Sequence, residues 1–473
     1  MGTISSAFAI TTGALQADQA ALSIVANNVA NANTVGYTRE NSNFQENSPV
    51  TIGGQSTGQG VTNTGATSVR DSVLTQRLDQ QQQLAASSSS RLTALDSVQA
   101  LFTPASGSTS STAGDIGTDL TSFFTSFSTL EGNATSSSYR QNVLSTGKIL
   151  AGDISSAAAN LNAQSASLDQ ETTGVASQVN ALTTSIAQLN QQIETTSPTG
   201  DAGTLEDQRQ QDISQLSSLV GINQITTEKN GISITTTSGT ELVAGSTTFP
   251  MTSGKVDGVT HFFVGTADVT TGLTSGGGQL GGYLTARDVD IPSAMNSLDQ
   301  LAYSVSTQVN KLNNSGTDMN GATGTVAAPL NIFAQPTQVA GSAASMSVVM
   351  TDPNQIAAAA LGAGTGDNSN ALAMANLGKQ GIVNNQNPSD YYSSFVSSLG
   401  STVTQVQTEN TAQNASVSQL QTQSNSLSSV SLDDSASSMT TLERSYEAAT
   451  QVFSMIDKII ASVINLGEQT TVS

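Results

Sequence analysis

The chain has no cysteine, no tryptophan and one histidine, His261, among its 473 residues. Without thiols there is no disulfide, cysteine nucleophile, iron–sulfur cluster or thiolate zinc site. A single imidazole excludes any centre that needs two from one chain. Charge is scarce as well: Asp, Glu, Lys and Arg make up 10% of residues, against about 25% in an average soluble protein. What charge exists is acidic, 35 carboxylates against 14 basic side chains, for a net −21. Nucleic-acid backbones and anionic membranes are both bound through clustered Lys and Arg, so neither partner fits. No run of about 18 apolar residues occurs, which excludes a bilayer-spanning helix. The first basic residue is Arg39, so no positive segment opens a secretory signal peptide.

What is present is Ser, Thr, Asn, Gln, Ala and 41 Gly, a composition that a disordered chain could share. The apolar spacing argues for order. Ile4, Phe8, Leu15, Leu22, Val25 and Val29 fall on one heptad seam, with Thr11 and Asp18 as polar interruptions. Asn27, Asn28, Asn31 and Asn33, then Gly36, read as helix-stop signals. Residues 41–68 read as loop or short hairpins. Helices are predicted over Val69–Phe102, Ile116–Leu130, Tyr139–Glu194 (one long helix or a pair) and Leu205–Val220. A flexible linker is expected at Pro104–Gly114 and a helix stop at Pro198 and Gly200.

From Gly221 to Gly278 the period becomes two. Asn230-Gly231 between Ile225 and Ile232/Ile234 marks a hairpin, and His261–Val264 a further strand. Helix returns from Leu280 to about Asn313, and an irregular or β-like stretch runs on to about Gly366. Val396, Leu399, Val403, Val406, Val417, Leu420 and Leu427 then share a seam. The last seam is Met439, Leu442, Tyr446, Ala449, Phe453, Ile456, Ile460 and Val463, with no polar break.

The fold class expected is mainly α with a β-rich insertion: a long coiled-coil-like helical bundle formed by the N- and C-terminal segments, with a small β domain inserted in the middle. The expected boundaries are 1–39 and 432–473 for the terminal coiled coil, and 40–220 with 367–431 for a helical bundle. The helix 280–315 lies at the border of that bundle, and 221–279 with 316–366 make the β-rich outer insertion. Burial along the C-terminal seam does not by itself offset the ordering of its backbone, so the seam needs a partner. The helix Ile4–Val29 supplies one. Extra width from Val452, Ile459 and Leu466 implies further burial against neighbouring subunits.

Candidate chemistry is thin. Gly276–Gly282 lacks the Lys of a P-loop and the G-x-G-x-x-G pattern, and reads as a flexible connection into a helix. Asp318-Met319-Asn320-Gly321 lacks the closing Glu of a calcium loop and reads as a turn. Asp288/Asp290 and Asp433/Asp434 sit near predicted helix starts, where acidic residues cap and favour the dipole. His261 reads as a half-buried strand residue. No catalytic, cofactor-binding or metal-ligating residue is nominated. The candidate functional residues are an assembly interface: Ile4, Phe8, Leu15, Leu22, Val25, Val29, Leu442, Tyr446, Phe453, Ile456, Ile460 and Val463.

Residues Ala26-Asn27-Asn28-Val29-Ala30-Asn31-Ala32-Asn33-Thr34-Val35-Gly36-Tyr37-Thr38-Arg39 resemble the N-terminal signature of bacterial flagellar rod, hook and hook-associated proteins. Leu442-Glu443-Arg444-Ser445-Tyr446-Glu447-Ala448-Ala449, with Val452, Ile456 and Asp457, resembles their C-terminal one. The interior is similar to the hook-associated protein 1 (FlgK) family, in Leu205–Arg209, Leu216–Gly221, Gly277–Leu284 with Arg287-Asp288, and Gly366–Ala371. The resemblance implies a structural subunit that joins flagellar hook to filament. It implies a homo-oligomeric ring touching the hook protein and a second hook-associated junction protein. It also implies secretion by the flagellar system without a cleaved signal, a dedicated cytoplasmic export chaperone on the C-terminal helix, and an extracellular place at the hook–filament junction. No enzyme activity, cofactor, nucleic acid or membrane insertion is implied. The alternatives are another axial protein of hook or distal-rod type, a secreted surface adhesin suggested by the Ser/Thr/Gly-rich insertion, or a wall-cleaving hydrolase.

Overall fold

The computed structural model describes residues 2–52, 54–102, 115–197 and 200–469. The linker expected at Pro104–Gly114, the stop at Pro198 and the Leu466 side chain lie outside what is described. Helix α1 (Gly2–Ala30) opens the chain, followed by β1 (Glu40–Glu46), β2 (Val50–Ile52), β3 (Gln55–Thr57) and β4 (Val61–Ser68). β1 pairs with β4 and β2 with β3, both antiparallel, so the expected short hairpins form. Helices α2 (Ser72–Ala100), α3 (Ile116–Gly132), α4 (Ser137–Thr196) and α5 (Thr204–Leu219) come next. α4 is one helix of 60 residues, as its unbroken apolar period allows.

Strands β5 (Ile222–Thr226), β6 (Ile232–Thr236), β7 (Glu241–Ala244) and β8 (Thr247–Thr248) form one antiparallel sheet in that order. Strands β9 (Met251–Val256), β10 (Val259–Val264) and β11 (Ala267–Asp268) form another. Helices α6 (Thr270–Thr274) and α7 (Gly278–Thr285) lead through a π turn at Ala286–Asp290 into α8 (Ile291–Ser315). α9 (Ser342–Ser345), α10 (Ser369–Leu377), α11 (Pro388–Ser428) and α12 (Leu432–Gln469) complete the chain.

The chain divides into two compact units. The first comprises Met1–Gln82, Val179–Met251 and Asn414–Ser473. It buries Leu74 and Leu78 of α2, Ile186 and Ile193 of α4, Ile213 and Leu216 of α5, and Ile234 of β6. The predicted hairpin is β5–β6, with Thr226 opposite Ile232. Its left-handed residues are Lys229 and Asn230 rather than an Asn-Gly pair, because the Asn230 amide is held by the carbonyls of Ser197 and Gly200.

The second unit comprises Gln83–Gln178 and Thr252–Gln413. Its core is centred on Phe123, whose ring lies 5.3 Å from each of Phe124, Phe127 and Phe333. The fully buried Arg140 guanidinium donates to the Ala134 and Ile356 carbonyls, tying the α3–α4 turn to the segment before α10.

Several expectations are corrected here. The stretch 316–366, expected to share a β-rich insertion with 221–279, contains isolated bridges and the short α9 but no named strand. Its backbone groups are satisfied by side chains of α8 instead of by a ladder. Asn310 exchanges both hydrogen bonds with Phe333, while Asn313 donates to the Leu330 carbonyl and accepts from the Ala357 N–H. The strands of 221–279 are also shared out, β5–β8 in the first unit and β10–β11 in the second.

Gly276–Gly282 is not a flexible connection throughout. Gly277 and Gly278 turn the chain at positive φ, but Gly281 and Gly282 lie inside α7. A Cβ on Gly282 would fall on the Ser87 carbonyl and Ser90 hydroxyl of α2, so glycine permits the helix contact. Asp288 and Asp290 do not cap a helix start. They lie in the π turn of a continuous helix, Asp288 paired with Arg287 and Asp290 held by two Arg91 nitrogens at 2.8 and 2.9 Å. Asp433 and Asp434 do occupy the first turn of α12. Asp318 forms a turn, accepting from the Asn320 and Ala322 N–H groups, and half-buried His261 sits on β10 beside Asp268.

Candidate functional site

The two ends of the chain meet within the first unit: α1 and α12 pack along each other. Phe8 stacks against Phe453, ring centroids 4.9 Å apart, while Ile24 and Val25 share a groove with Ser438 and Leu442. The pair is therefore antiparallel. On α12, Ile456 is buried and Leu442, Ala449, Phe453 and Ile460 are half-buried. Tyr446 and Val463, expected on the same seam, are 39% and 46% exposed. On α1, Ile4, Phe8, Leu15, Leu22 and Val25 are half-buried and Val29 is exposed.

The deepest apolar residues of α1 are not those large ones but Ala17 and Ala21. The reason is a second neighbour. The β1–β4 ribbon lies on α1, close enough that a Cβ on Gly13 would sit 3.2 Å from the Val61 carbonyl. Gly13, Ala17 and Ala21 recur every fourth residue, which aligns small side chains on one helix face. That spacing was a legible signal for a close neighbour.

The N-terminal signature holds the pair in place. Asn28, in the last turn of α1, donates to the Glu40 carbonyl at 2.8 Å and accepts from the Glu40 N–H at 2.9 Å, so its amide acts as a strand partner. The Tyr37 hydroxyl donates to the same Asn28 oxygen at 2.9 Å. Burial, with the Glu40 and Asp207 carboxylates nearby, pushes Tyr37 up to about 12. Gly36 is left-handed and backs onto Gln211, which donates to the Val35 carbonyl.

Thr38 anchors the signature to α5: its N–H and hydroxyl donate to Asp207 at 2.9 and 2.7 Å. Arg70 completes that node, donating to Asp207 at 2.7 Å and pairing with Glu206. Beside it, burial raises Asp79 to about 6 against the opposing hydrogen bonds from Gln224, Gln210 and Ser214. The Arg39 N–H donates to the Ser428 carbonyl, linking the chain that leaves α1 to the chain that enters α12. Asn28, Thr38, Arg70 and Asp207 were absent from the sequence-derived site. The motif blocks held Asn28, Thr38 and Asp207, and nothing in the sequence reading pointed to Arg70.

One face of α12 lacks a partner among the described residues. Val452, Met455, Ile459 and Val463, spaced by three and four, are 48%, 62%, 47% and 46% exposed. No group of three His, Asp or Glu side chains among the described residues could hold a metal. No helix among them is long and apolar enough to cross a membrane. Long helices whose two chain ends pair and still present an exposed apolar stripe mark a helical structural protein.

Comparison with known proteins specifies which. The model of the flagellar hook-associated protein FlgK helical domain matches residues 106–326, and that of the flagella basal body rod protein matches residues 9–38. Flagellar hook-associated protein 1 of Escherichia coli K12 is 27% identical over 549 residues, spanning 96% of this chain and 98% of that one. The Bacillus subtilis 168 protein of the same name is 27% identical over 96% of both. The Salmonella typhimurium LT2 protein is 30% identical over 66% of this chain and 57% of its own. The flagellar hook junction protein FlgK from Burkholderia pseudomallei shares the fold, with a TM-score of 0.65 at 19% identity, over 75% of this chain and all of that one. The chain is similar to the flagellar hook-associated protein 1 (FlgK) family over nearly its whole length.

Proposed function

We infer that the chain is a structural, non-catalytic subunit of the bacterial flagellum that joins hook to filament. Near-complete alignment with hook-associated protein 1 from two distant bacteria supports this. The single structural observation that carries it is the α12 stripe left bare beside the α1–α12 pair. In this reading the terminal segments 1–39 and 432–473 form the inner axial domain. The seam residues from Ile4 to Val29 and from Leu442 to Val463, with the bare stripe, form the assembly interface. Its partners are further copies in a ring, the hook protein and a second junction protein. Before secretion, a dedicated export chaperone covers the amphipathic α12 as a helix-in-groove ligand. The subunit leaves the cell through the flagellar export channel without a cleaved signal.

Cells lacking the protein should carry hooks without filaments and shed filament subunits into the medium; filaments of normal number and length would overturn the reading. Complementation with Ile456→Asp/Ile460→Asp, which places two carboxylates where burial is costly, should fail to restore filaments. The main thermal transition of the purified chain should be retained. Collapse of that transition would return these helices to an ordinary core.

A further inference from the structure

Two Asn-Gly steps occur in the chain, Asn230-Gly231 and Asn320-Gly321. Such a step is chemically labile, because a glycine nitrogen meets no side chain of its own on the way to the preceding Asn side-chain carbonyl. The backbone nitrogens are held alike: the Gly231 N–H donates to the Glu228 carbonyl and the Gly321 N–H to the Asp318 carbonyl, both at 3.2 Å, the long end of the range. The asparagines differ. Asn230 is half-buried, and its amide nitrogen donates to the Ser197 and Gly200 carbonyls. Its backbone carbonyl accepts from Arg209. Asn320 is exposed, and its side-chain amide has no hydrogen-bond partner among the described residues. The space is open as well, since a Cβ on Gly321 would meet nothing within 4 Å.

We propose that Asn320 is a site of spontaneous deamidation and that the fold shields Asn230 from the same reaction. The Gly321 nitrogen gives up its proton to hydroxide and attacks Cγ of Asn320. A C–N bond forms to close a succinimide ring, the Cγ–Nδ2 bond breaks, and the amide nitrogen leaves as ammonia. Water then opens the ring at either carbonyl, giving aspartate or isoaspartate. The new carboxylate arises beside Asp318, which is 2% exposed and accepts from the Asn320 and Ala322 N–H groups at 2.8 and 2.7 Å. Isoaspartate also adds a carbon to the backbone of a tightly closed turn. The Asp318 N–H donates to the Ala322 carbonyl at 2.8 Å, and the Met319 N–H to the Asn354 carbonyl at 3.0 Å. Lengthening the backbone between these bonds loosens the turn from the segment that Arg140 holds at Ile356. None of this depends on the assembly reading above.

The test incubates the full chain in mildly alkaline buffer, as wild type and Asn320→Gln. Peptide mass spectrometry follows each Asn-Gly step, with isoaspartate scored by enzymatic methyl labelling. Reaction at Asn320 should outpace that at Asn230 by at least about tenfold, because Asn230 must first give up two hydrogen bonds. In denaturant the two steps should react alike, which ties the difference to the fold. Asn320→Gln should remove the signal from its own peptide and leave the Asn230 peptide unchanged. Amide exchange across residues 318–322 should quicken in incubated wild type and not in incubated Asn320→Gln. Equal rates at the two steps in the folded chain, or a faster one at Asn230, would overturn the proposal. So would an Asn320 that stays intact in the folded chain while the denatured chain reacts there. Unaltered exchange in fully modified wild type would overturn the loosening of the turn.

Discussion

Replacing Asp119 by asparagine should abolish most of a pH dependence in the second unit. α3 and α4 run antiparallel, with the hydroxyls of Thr146 and Ser126 3.2 Å apart and Gly147 against Phe123. Two helical turns along the same faces bring Asp119 opposite Asp153, with which it shares a hydrogen bond. Two carboxyls can share a hydrogen bond only if one keeps its proton. Burial, that hydrogen bond, and the charges of Asp153 and Asp115 together raise Asp119 from 3.8 to about 7. Tyr392 of α11 lies against the first turn of α3 at Gly117. Burial, with Asp115 and Asp119 nearby, pushes it up to about 12, so it stays neutral in this range.

Because the folded-state value is raised, the folded chain holds a proton that the unfolded chain has lost between about pH 4 and pH 7. The contribution is therefore complete below about pH 4 and lost as pH rises through about 7. A displacement of about three pH units corresponds to about 4 kcal/mol. Asp119 is only partly buried, and screening by water reduces the expected loss to about 2 kcal/mol. The assay is amide exchange in α3 and the first half of α4 at pH 5 and pH 8, corrected for the chemical exchange rate. Between pH 5 and pH 8 about two thirds of that loss falls due, so wild type should lose about tenfold protection, whereas Asp119→Asn, whose amide can donate to Asp153 at any pH, should lose little. Asp79, also raised, acts in the same direction in both proteins and cancels in the comparison. Parallel profiles, or protection that grows with pH in wild type, would refute the shared-proton geometry.

Gly282→Ala should lower the melting temperature of the second unit, since its Cβ meets the Ser87 carbonyl and Ser90 hydroxyl; overpacking of this kind costs about 1–3 kcal/mol, and an unchanged melt would show that α2 and α7 are not in close contact there. Asn28→Ala leaves the Glu40 N–H and carbonyl without their partner, a loss of about 1–3 kcal/mol. It should speed proteolysis within residues 31–39, with Asn28→Asp, which keeps the acceptor and loses the donor, falling between.

Helical periodicity was legible because it is local. The unbroken apolar steps of α4 and α12 each specify a helix, and the turn residues near Asn230 specify the β5–β6 hairpin. The signature blocks near each end, with the interior ones, carried the family resemblance. The pairing of the termini was also foreseen, since each bore a seam too exposed to stand alone. The errors came where a local cue had a distant owner. Asp290 looked like a cap because the chain near it was acidic; Arg91, two hundred positions away in sequence, holds it in a ladder-disrupting turn. The segment 316–366 has strand-like composition, yet asparagines of α8 satisfy its backbone before a strand partner can.

By itself the sequence determined which segments are helical, which faces are apolar and which family the chain resembles, all of which follow from residue type and spacing. The tertiary structure alone decided that Ala17 and Ala21 carry the deepest burial in α1 and that Thr38 is bound to Asp207. It also decided that burial and the neighbouring Asp153 and Asp115 raise the Asp119 carboxyl to about 7. Burial and protonation depend on what the fold brings against a side chain, and those neighbours come from parts of the chain whose distance in sequence carries no local signal.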